Sequence, residues 1–290
     1  MEQDYFFKVK TPNQVRDILK TMAKHLSAET INISDALGRV LADDIISSVD
    51  LPGFDRATMD GFAVRAKDTF GASSGSPAYL NLIGEIKMGE KATIKVSQGE
   101  AVKVSTGSMM PSGADAVVMI EWTEFFDDQT IEVIRSVAPG DNIVKRDEDL
   151  HIGEKLLDKG HILRPQDIGA LAGVGITSVN VTRLPRVAII SSGDEIISPD
   201  QIPEIGQIRD INSYSLSALA KQAGGQPIIM GIVKDDYNIL KAVMENALED
   251  ADIAVISGGS SIGTRDVTID VISSLKDAEI LVHGISIKPG

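Results

Sequence analysis

Three apolar runs in the last third of this 290-residue chain each hand over to acidic residues. "RVAII" leads into "SSGDEI", which carries Asp194 and Glu195. "PIIMGIV" leads into "KDD", with Asp235 and Asp236, and "DIAVIS" leads into "GGSSIGTRDVT", with Asp266. In the third cluster Gly258, Gly259 and Gly263 surround Ser260 and Ser261, a composition that lets backbone N–H groups converge on an anion at a helix start. The cluster is neither a Walker A loop nor a dinucleotide-binding GxGxxG. Carboxylates beside a phosphate would repel it, so a cation is expected between them, and Mg²⁺ suits a few carboxylates plus phosphate oxygens and water. Each residue also has a plainer role. Asp266 would serve as a helix cap, Asp235 or Asp236 as loop polarity, Glu195 as a solvated turn, and the glycines as a tight strand-to-helix turn. Recurrence at three successive strand ends favours a ligand site. Lys288 follows the last apolar run, where it would bring positive charge to the same rim or simply end a strand in solvent. Ser191-Ser192-Gly193 lacks the G-x-S-x-G elbow of an acyl-transfer nucleophile. The histidines His25, His151, His161 and His283 show no pair at metal-ligand spacing.

The elements that must position these clusters alternate. "RVAII" and "DIAVIS" have the β-branched character of buried parallel strands, with "PIIMGIV" and "ILVHGISI" as weaker third and fourth strands. Between them, "SYSLSALAKQAGG" places Leu216, Leu219, Ala220 and Ala223 on one helical face, and "YNILKAVMENAL" does so with Leu240, Val243 and Ala247. This order predicts a doubly wound α/β domain over 182–290, with ligands expected beyond the carboxyl ends of its strands. Residues 51–139 change texture to short strands, "YLNLIGEI", "ATIKV", "AVKVS", "AVVMIE" and "TIEVI", which predict a β-rich, barrel-like or sandwich domain. It opens on "LPGFDRATMDGFAV", a hairpin-like turn that carries Asp60. The first fifty residues read as helical, from Thr11-Pro12 through Val15, Ile18, Leu19 and Met22 and again in "ISDALGRVLADDI". Residues 140–181 are mixed and are expected to pack back on 1–50, making one discontinuous, elongated domain with the β-rich one inserted.

Composition narrows the function classes. A formal net charge of −14 and 4% aromatic residues argue against a general nucleic-acid binder. The absence of cysteine excludes disulfides and thiolate sites. No apolar run approaches membrane-spanning length, and "MEQDYFFKVK" does not resemble a signal peptide. A cytoplasmic protein with small-molecule or protein partners is expected.

In their order, these blocks resemble the MoeA-type molybdopterin molybdenumtransferase family, which includes the E domain of gephyrin. The resemblance rests on "LPGFDRATMDGFAV", "GEAVKVSTGSMMPSGADAVVMIE", "GDNIVKRDEDLHIGEKLLDKGHILRPQDIGALAGVGI", "PRVAIISSGDEI", "GQIRDINSYSLSALAKQAGG", "ADIAVISGGSSIGTRD" and "VHGISIKPG". It implies Mg²⁺-dependent insertion of molybdate into adenylylated molybdopterin with release of AMP, by a homodimer whose active site is shared between subunits. It places Glu195, Asp235 and Asp266 at the metal and substrate site, and Asp60 in "MDG" and Thr106 in "STGS" on the wall supplied by the partner subunit. Asp149 in "DED" and Lys288 in "KPG" would bind substrate, together with Ser192, Gly193, Gly258, Gly259, Ser260, Ser261 and Gly263. The resemblance also implies a C-terminal β-barrel domain beyond Gly290 and allows a molybdopterin adenylyltransferase as partner. The chain departs from the family at Arg56-Ala57-Thr58, where Asn-Ser or Ser-Ser is usual, and at Ser260, where Val or Thr is commoner. Alternative functions are the adenylyltransferase of the same pathway, whose signature "GGSSIGTRDVT" also resembles, and a non-catalytic molybdopterin-binding scaffold. Molybdate and tungstate are both tetrahedral and similar in size, so the residues do not separate the two metals.

Overall fold

Thr11 and Gln14 start the first helix by capping each other: the Thr11 N–H donates to Gln14 Oε1 (2.9 Å) and the Gln14 N–H to Thr11 Oγ1 (3.4 Å). In this computed structural model, which describes residues 9–258 and 267–287, that helix is α1 (Pro12–Met22), followed by β1 (Ala28–Asn32). The second expected helix, "ISDALGRVLADDI", does not form. Asn32 caps only a single 3₁₀ turn, Ile33–Asp35, and Gly38 then adopts φ +75°, a left-handed conformation that breaks any helical continuation. The chain continues through β2 (Ile45–Ile46), β3 (Arg56–Ala57), β4 (Gly61–Val64), β5 (Ala78–Ile86), β6 (Glu100–Val104) and β7 (Ala116–Met119). Strands β8 (Thr123–Phe125), β9 (Thr130–Val133), β10 (Ile143–Val144) and β11 (Lys155–Leu157) lead to α2 (Pro165–Gly173) and β12 (Ser178–Thr182), which pairs with β1. The last part contains β13 (Arg186–Ser192), β14 (Ile196–Ile197), β15 (Ile208–Arg209), α3 (Asn212–Gln222), β16 (Gln226–Val233), α4 (Tyr237–Asp250), β17 (Ile253–Ser257) and α5 (Val267–Ser274).

The chain divides into two units, one formed by Asn32–Leu37 and Asp43–Val179, the other by Met1–Ile31, Gly38–Ala42 and Asn180–Gly290. The first unit is built on a six-stranded sheet of order β7-β4-β6-β5-β9-β8, antiparallel except for the β5–β6 pair. Both its faces are covered. Phe62 and Val64 pack with Leu80, Ile131 and Val133 on one side, and Ala63 with Val102, Val104 and Val117 on the other. A strand buried on both faces shows no apolar–polar alternation, which is why "GFAV" carries no strand signal of its own. Gly61 is required there, because a Cβ would lie 1.9 Å from the Val118 carbonyl oxygen of β7. A register shift between Leu82 and Gly84 turns Ile83 and Ile86 to the same side of β5. "ATIKV" makes only one bridge, Lys95 to Ser112, instead of a strand. Two small pairs, β3–β10 and β2–β11, tie the later residues of this unit to its beginning.

The second unit has the expected doubly wound pattern. Strand β13 lies between β16 and β17, and all three are parallel. Alternate side chains of β13 go to opposite faces. Ala188 and Ile190 pack with Leu240, Met244 and Ala247 of α4 and Val271 of α5, whereas Ser191 meets Ser213 of α3. The chain crosses from β13 through α3 to β16 on one side, then from β16 through α4 past β13 to β17 on the other, making the carboxyl end of β13 a topological switch point. "ILVHGISI" contributes only a bridge from Ile285 to Lys10, since Gly284 at φ +98° interrupts the extended run.

Candidate active site

At the carboxyl end of β13 the buried Ser192 hydroxyl donates to Asp235 Oδ1 at 2.5 Å. Asp235 comes from the loop after β16. Its neighbour Asp236 is occupied otherwise, accepting the N–H groups of Asn238 (2.9 Å) and Ile239 (3.0 Å) as the cap of α4. The two adjacent carboxylates are thereby assigned different roles, a distinction the "KDD" sequence leaves open. One residue beyond Ser192, Gly193 leaves room for Glu195: a Cβ at Gly193 would sit 2.8 Å from Glu195 Oε2. Gly258, at the end of β17, approaches the same strand so closely that a Cβ would fall 1.9 Å from the Ser192 carbonyl oxygen. Ser192, Gly193, Glu195, Asp235 and Gly258 therefore converge at one strand end, with Glu195 and Asp235 exposed to solvent. Gly259, Ser260, Ser261, Gly263, Asp266 and Lys288 lie outside the described residues.

Behind this rim is a cluster that motif reasoning passed over. Ser191 Oγ donates to Asp210 Oδ1 (2.9 Å) and lies 3.0 Å from Ser213 Oγ and 3.2 Å from Ser257 Oγ. Asp210 also accepts the Ser213 N–H at 3.0 Å. Burial pushes the Asp210 carboxyl up, but hydrogen bonds from Ser213, Ser191 and Asn212 outweigh it and hold the group below the usual carboxylate range. The available signal was the Asp210–Ser213 spacing just ahead of a helical apolar pattern, the mark of a helix cap.

In the other unit, Asp60 stands exposed immediately before β4, and Thr106, also exposed, two residues beyond β6. The Thr106 N–H (2.7 Å) and Oγ1 (3.0 Å) both donate to Asp60 Oδ1, holding its carboxyl below the ordinary range. Asp149 is exposed and its N–H donates to the Leu51 carbonyl (2.9 Å), so it lies beside the start of "LPGFDRATMDGFAV". Asp55 within that stretch and Asp50 just before it are held by residues not singled out from the sequence. Asp55 accepts the Arg146 N–H (2.8 Å) and Lys145 Nζ (3.0 Å), and Asp50 accepts Arg146 Nε (2.8 Å) and the Ile152 N–H (2.9 Å). Among the described residues no hydrogen bond joins Asp149 to Asp60 or Thr106, and no cluster of three acidic or histidine side chains is arranged to hold a metal ion. No helix among them is long and apolar enough to cross a membrane.

Residues 10–175 match the family model described as "MoeA N-terminal region (domain I and II)". The chain belongs to the MoeA family. Residues 188–290 match a second model, "Probable molybdopterin binding domain", which begins inside β13 and so includes the convergence at Ser192. A Methanocaldococcus jannaschii protein named for molybdopterin biosynthesis is 41% identical over 90% of this chain and 64% of its own length. The molybdopterin molybdenumtransferase of Nostoc is 35% identical over 97% of this chain and 64% of its own. The crystal structure of a molybdopterin biosynthesis MoeA protein from Pyrococcus horikoshii matches with a TM-score of 0.83 and 41% identity, covering 98% of this chain and 70% of that one. The chain thus spans about two thirds of the length of these MoeA relatives. The MoeA-type fold expected from the sequence, with its β-rich part and its α/β part, is the fold observed.

Proposed function

We propose that this MoeA-family chain inserts molybdate into adenylylated molybdopterin, releasing AMP, with Mg²⁺ as cofactor. The observation that carries this is the convergence of Ser192, Asp235, Glu195 and Gly258 at the switch point of the doubly wound sheet, in a family whose Nostoc member is named molybdopterin molybdenumtransferase. The donor set fits the ion: Glu195 and Asp235 offer hard carboxylate oxygens, and their exposure leaves room for the waters that Mg²⁺ retains. Bound there, Mg²⁺ would supply positive charge against the pyrophosphate linkage and polarise its phosphorus.

The chain's own residues do the positioning. Ser192 fixes Asp235 through its hydrogen bond. Gly193 and Gly258 admit close approach of a carboxylate and of backbone, where side chains would intrude. Asp266 would join the carboxylates, and Gly259, Ser260, Ser261, Gly263 and Lys288 the anion-binding groups. Asp60 and Thr106, joined to each other and exposed, would act on the site of a second copy in a homodimer, and Asp149 would contact substrate from the same side. A cytoplasmic location fits the pathway, as does receipt of substrate from a molybdopterin adenylyltransferase. The β2–β11 and Leu41–Val181 pairings support residues 1–50 and 140–181 as one discontinuous domain around 51–139, followed by 182–290.

Titrating adenylylated molybdopterin into the protein with and without Mg²⁺ tests this assignment. Mg²⁺ is expected to tighten binding at least tenfold in the parent protein and to have no such effect on Asp235→Asn. Equal Mg²⁺ dependence in both proteins would remove Asp235 from the metal site.

A further inference from the structure

Asp210 belongs to no acidic cluster at a strand end, yet it is 6% exposed and its carboxylate binds Ser191, the wholly buried next-to-last residue of β13. A serine hydroxyl has one proton. An ionised carboxylate has none to give and makes the stronger, charge-assisted acceptor, so the Ser191 proton goes to Asp210 Oδ1. Ser191 Oγ is then left with lone pairs only. Ser257 Oγ, 3.2 Å away, must point its own proton inward to Ser191. The Ser257 oxygen is thereby left as an acceptor at the point where β17 gives way to Gly258. The same cluster ties the start of α3 to the sheet, through the Asp210 bond to the Ser213 N–H and the Ser191–Ser213 contact. Three segments that begin or end at the candidate site, β13, α3 and β17, are joined through one buried carboxylate.

We propose that Asp210 is a positioning residue for this site: acting through Ser191, it orients the Ser257 hydroxyl inward and fixes where the Gly258 turn leaves the sheet. The Ser257 oxygen is then offered to a hydrogen-bond donor of the ligand, and the Gly258 backbone is held against Ser192, the residue that bonds Asp235. The ligand part of this inference rests on the function proposed above, and the positioning of the Gly258 turn does not.

The test compares Ser257→Ala, Ser257→Thr and Asp210→Asn in the whole chain. It reads two quantities: the dissociation constant for adenylylated molybdopterin, and the amide hydrogen-exchange rate at Gly258. Ser257→Ala removes one hydroxyl from a half-buried position and leaves the fold intact. It is expected to weaken binding about tenfold and to raise exchange at Gly258 about tenfold. Ser257→Thr, which keeps the hydroxyl, is expected to restore both. Asp210→Asn keeps the shape but loses the charge that orders the protons, and should fall between Ser257→Ala and the parent. If Ser257→Ala exchanges at Gly258 like the parent, if Ser257→Thr fails to rescue, or if Asp210→Asn matches the parent in both quantities, the positioning role of Asp210 is wrong. If the parent itself does not bind adenylylated molybdopterin, the proposed function falls, and the exchange rates alone then decide the role of Asp210.

Discussion

Asp235 and Asp236 are adjacent in the chain, and substitution should separate them cleanly. Asp236→Ala removes the two cap bonds of α4 and is expected to cost about 1 kcal/mol of stability while leaving binding of adenylylated molybdopterin unchanged. Asp235→Ala should do the opposite, with near-parental urea unfolding and at least tenfold weaker binding. A calorimetric titration and an unfolding curve on each variant check both. Asp60 gives a second residue-level expectation. Its carboxyl is held low by two hydrogen bonds from Thr106, and Thr106→Ala removes the side-chain one, so the Asp60 pKa should rise toward the ordinary value in a carbon-detected NMR titration. An unchanged pKa would mean that the Thr106 hydroxyl bond does not persist in solution. The carboxylates of the candidate site were legible because they follow apolar runs or sit in family motifs. Ser191, Ser213 and Ser257 were not. Isolated serines carry no periodic or charge signal, and only the folded sheet brings residues 191, 210, 213 and 257 together.

Among the elements, β4 is the one whose length says least and whose packing demands most. Its glycine at 61 leaves no room for a Cβ beside the Val118 carbonyl. Gly61→Ala must therefore separate β4 from β7, at a cost of roughly 3 kcal/mol, the upper end for overpacking a core. The same substitution at Gly71, where nothing lies within 4 Å of an added Cβ, tests only backbone strain and should cost less. Chemical denaturation of the two variants gives the comparison, and equal losses would contradict the packing argument. Element recognition followed the same physics. Helix α1 was readable because its cap and apolar spacing agree, and α4 from its apolar spacing alone; its Asp236 cap emerges only in the structure. "ISDALGRVLADDI" has helical spacing, but Gly38 takes a left-handed conformation within it. "ATIKV" and "ILVHGISI" have strand composition but lack a partner along their length.

At the scale of the whole molecule, acid should act through ion pairs that close the base of the doubly wound sheet. Arg183 grips Asp252 with two bonds of 2.7 Å, and Asp252 also accepts the Arg186 N–H at 2.7 Å. The Arg183 guanidinium, first among these causes, draws the Asp252 carboxyl down to about 2. A depressed folded-state value means that the contribution is complete above the ordinary carboxylate range and is lost as pH falls from about 4 toward 2. The melting temperatures of the parent and of Arg183→Met should therefore differ at neutral pH and converge in that window. A constant difference down to pH 2 would deny the ion pair its part. The doubly wound order and the β-rich unit belong to a family in which relatives are named for molybdopterin chemistry, and the proposed function assigns that chemistry to the carboxylate rim. The most direct measurement is AMP release when the protein is given adenylylated molybdopterin, molybdate and Mg²⁺. AMP appearing in step with molybdate insertion, abolished by chelating Mg²⁺ and reduced at least a hundredfold in Glu195→Gln, is the predicted result. Release of pyrophosphate from ATP and molybdopterin, with no AMP from the adenylylated compound, would contradict it.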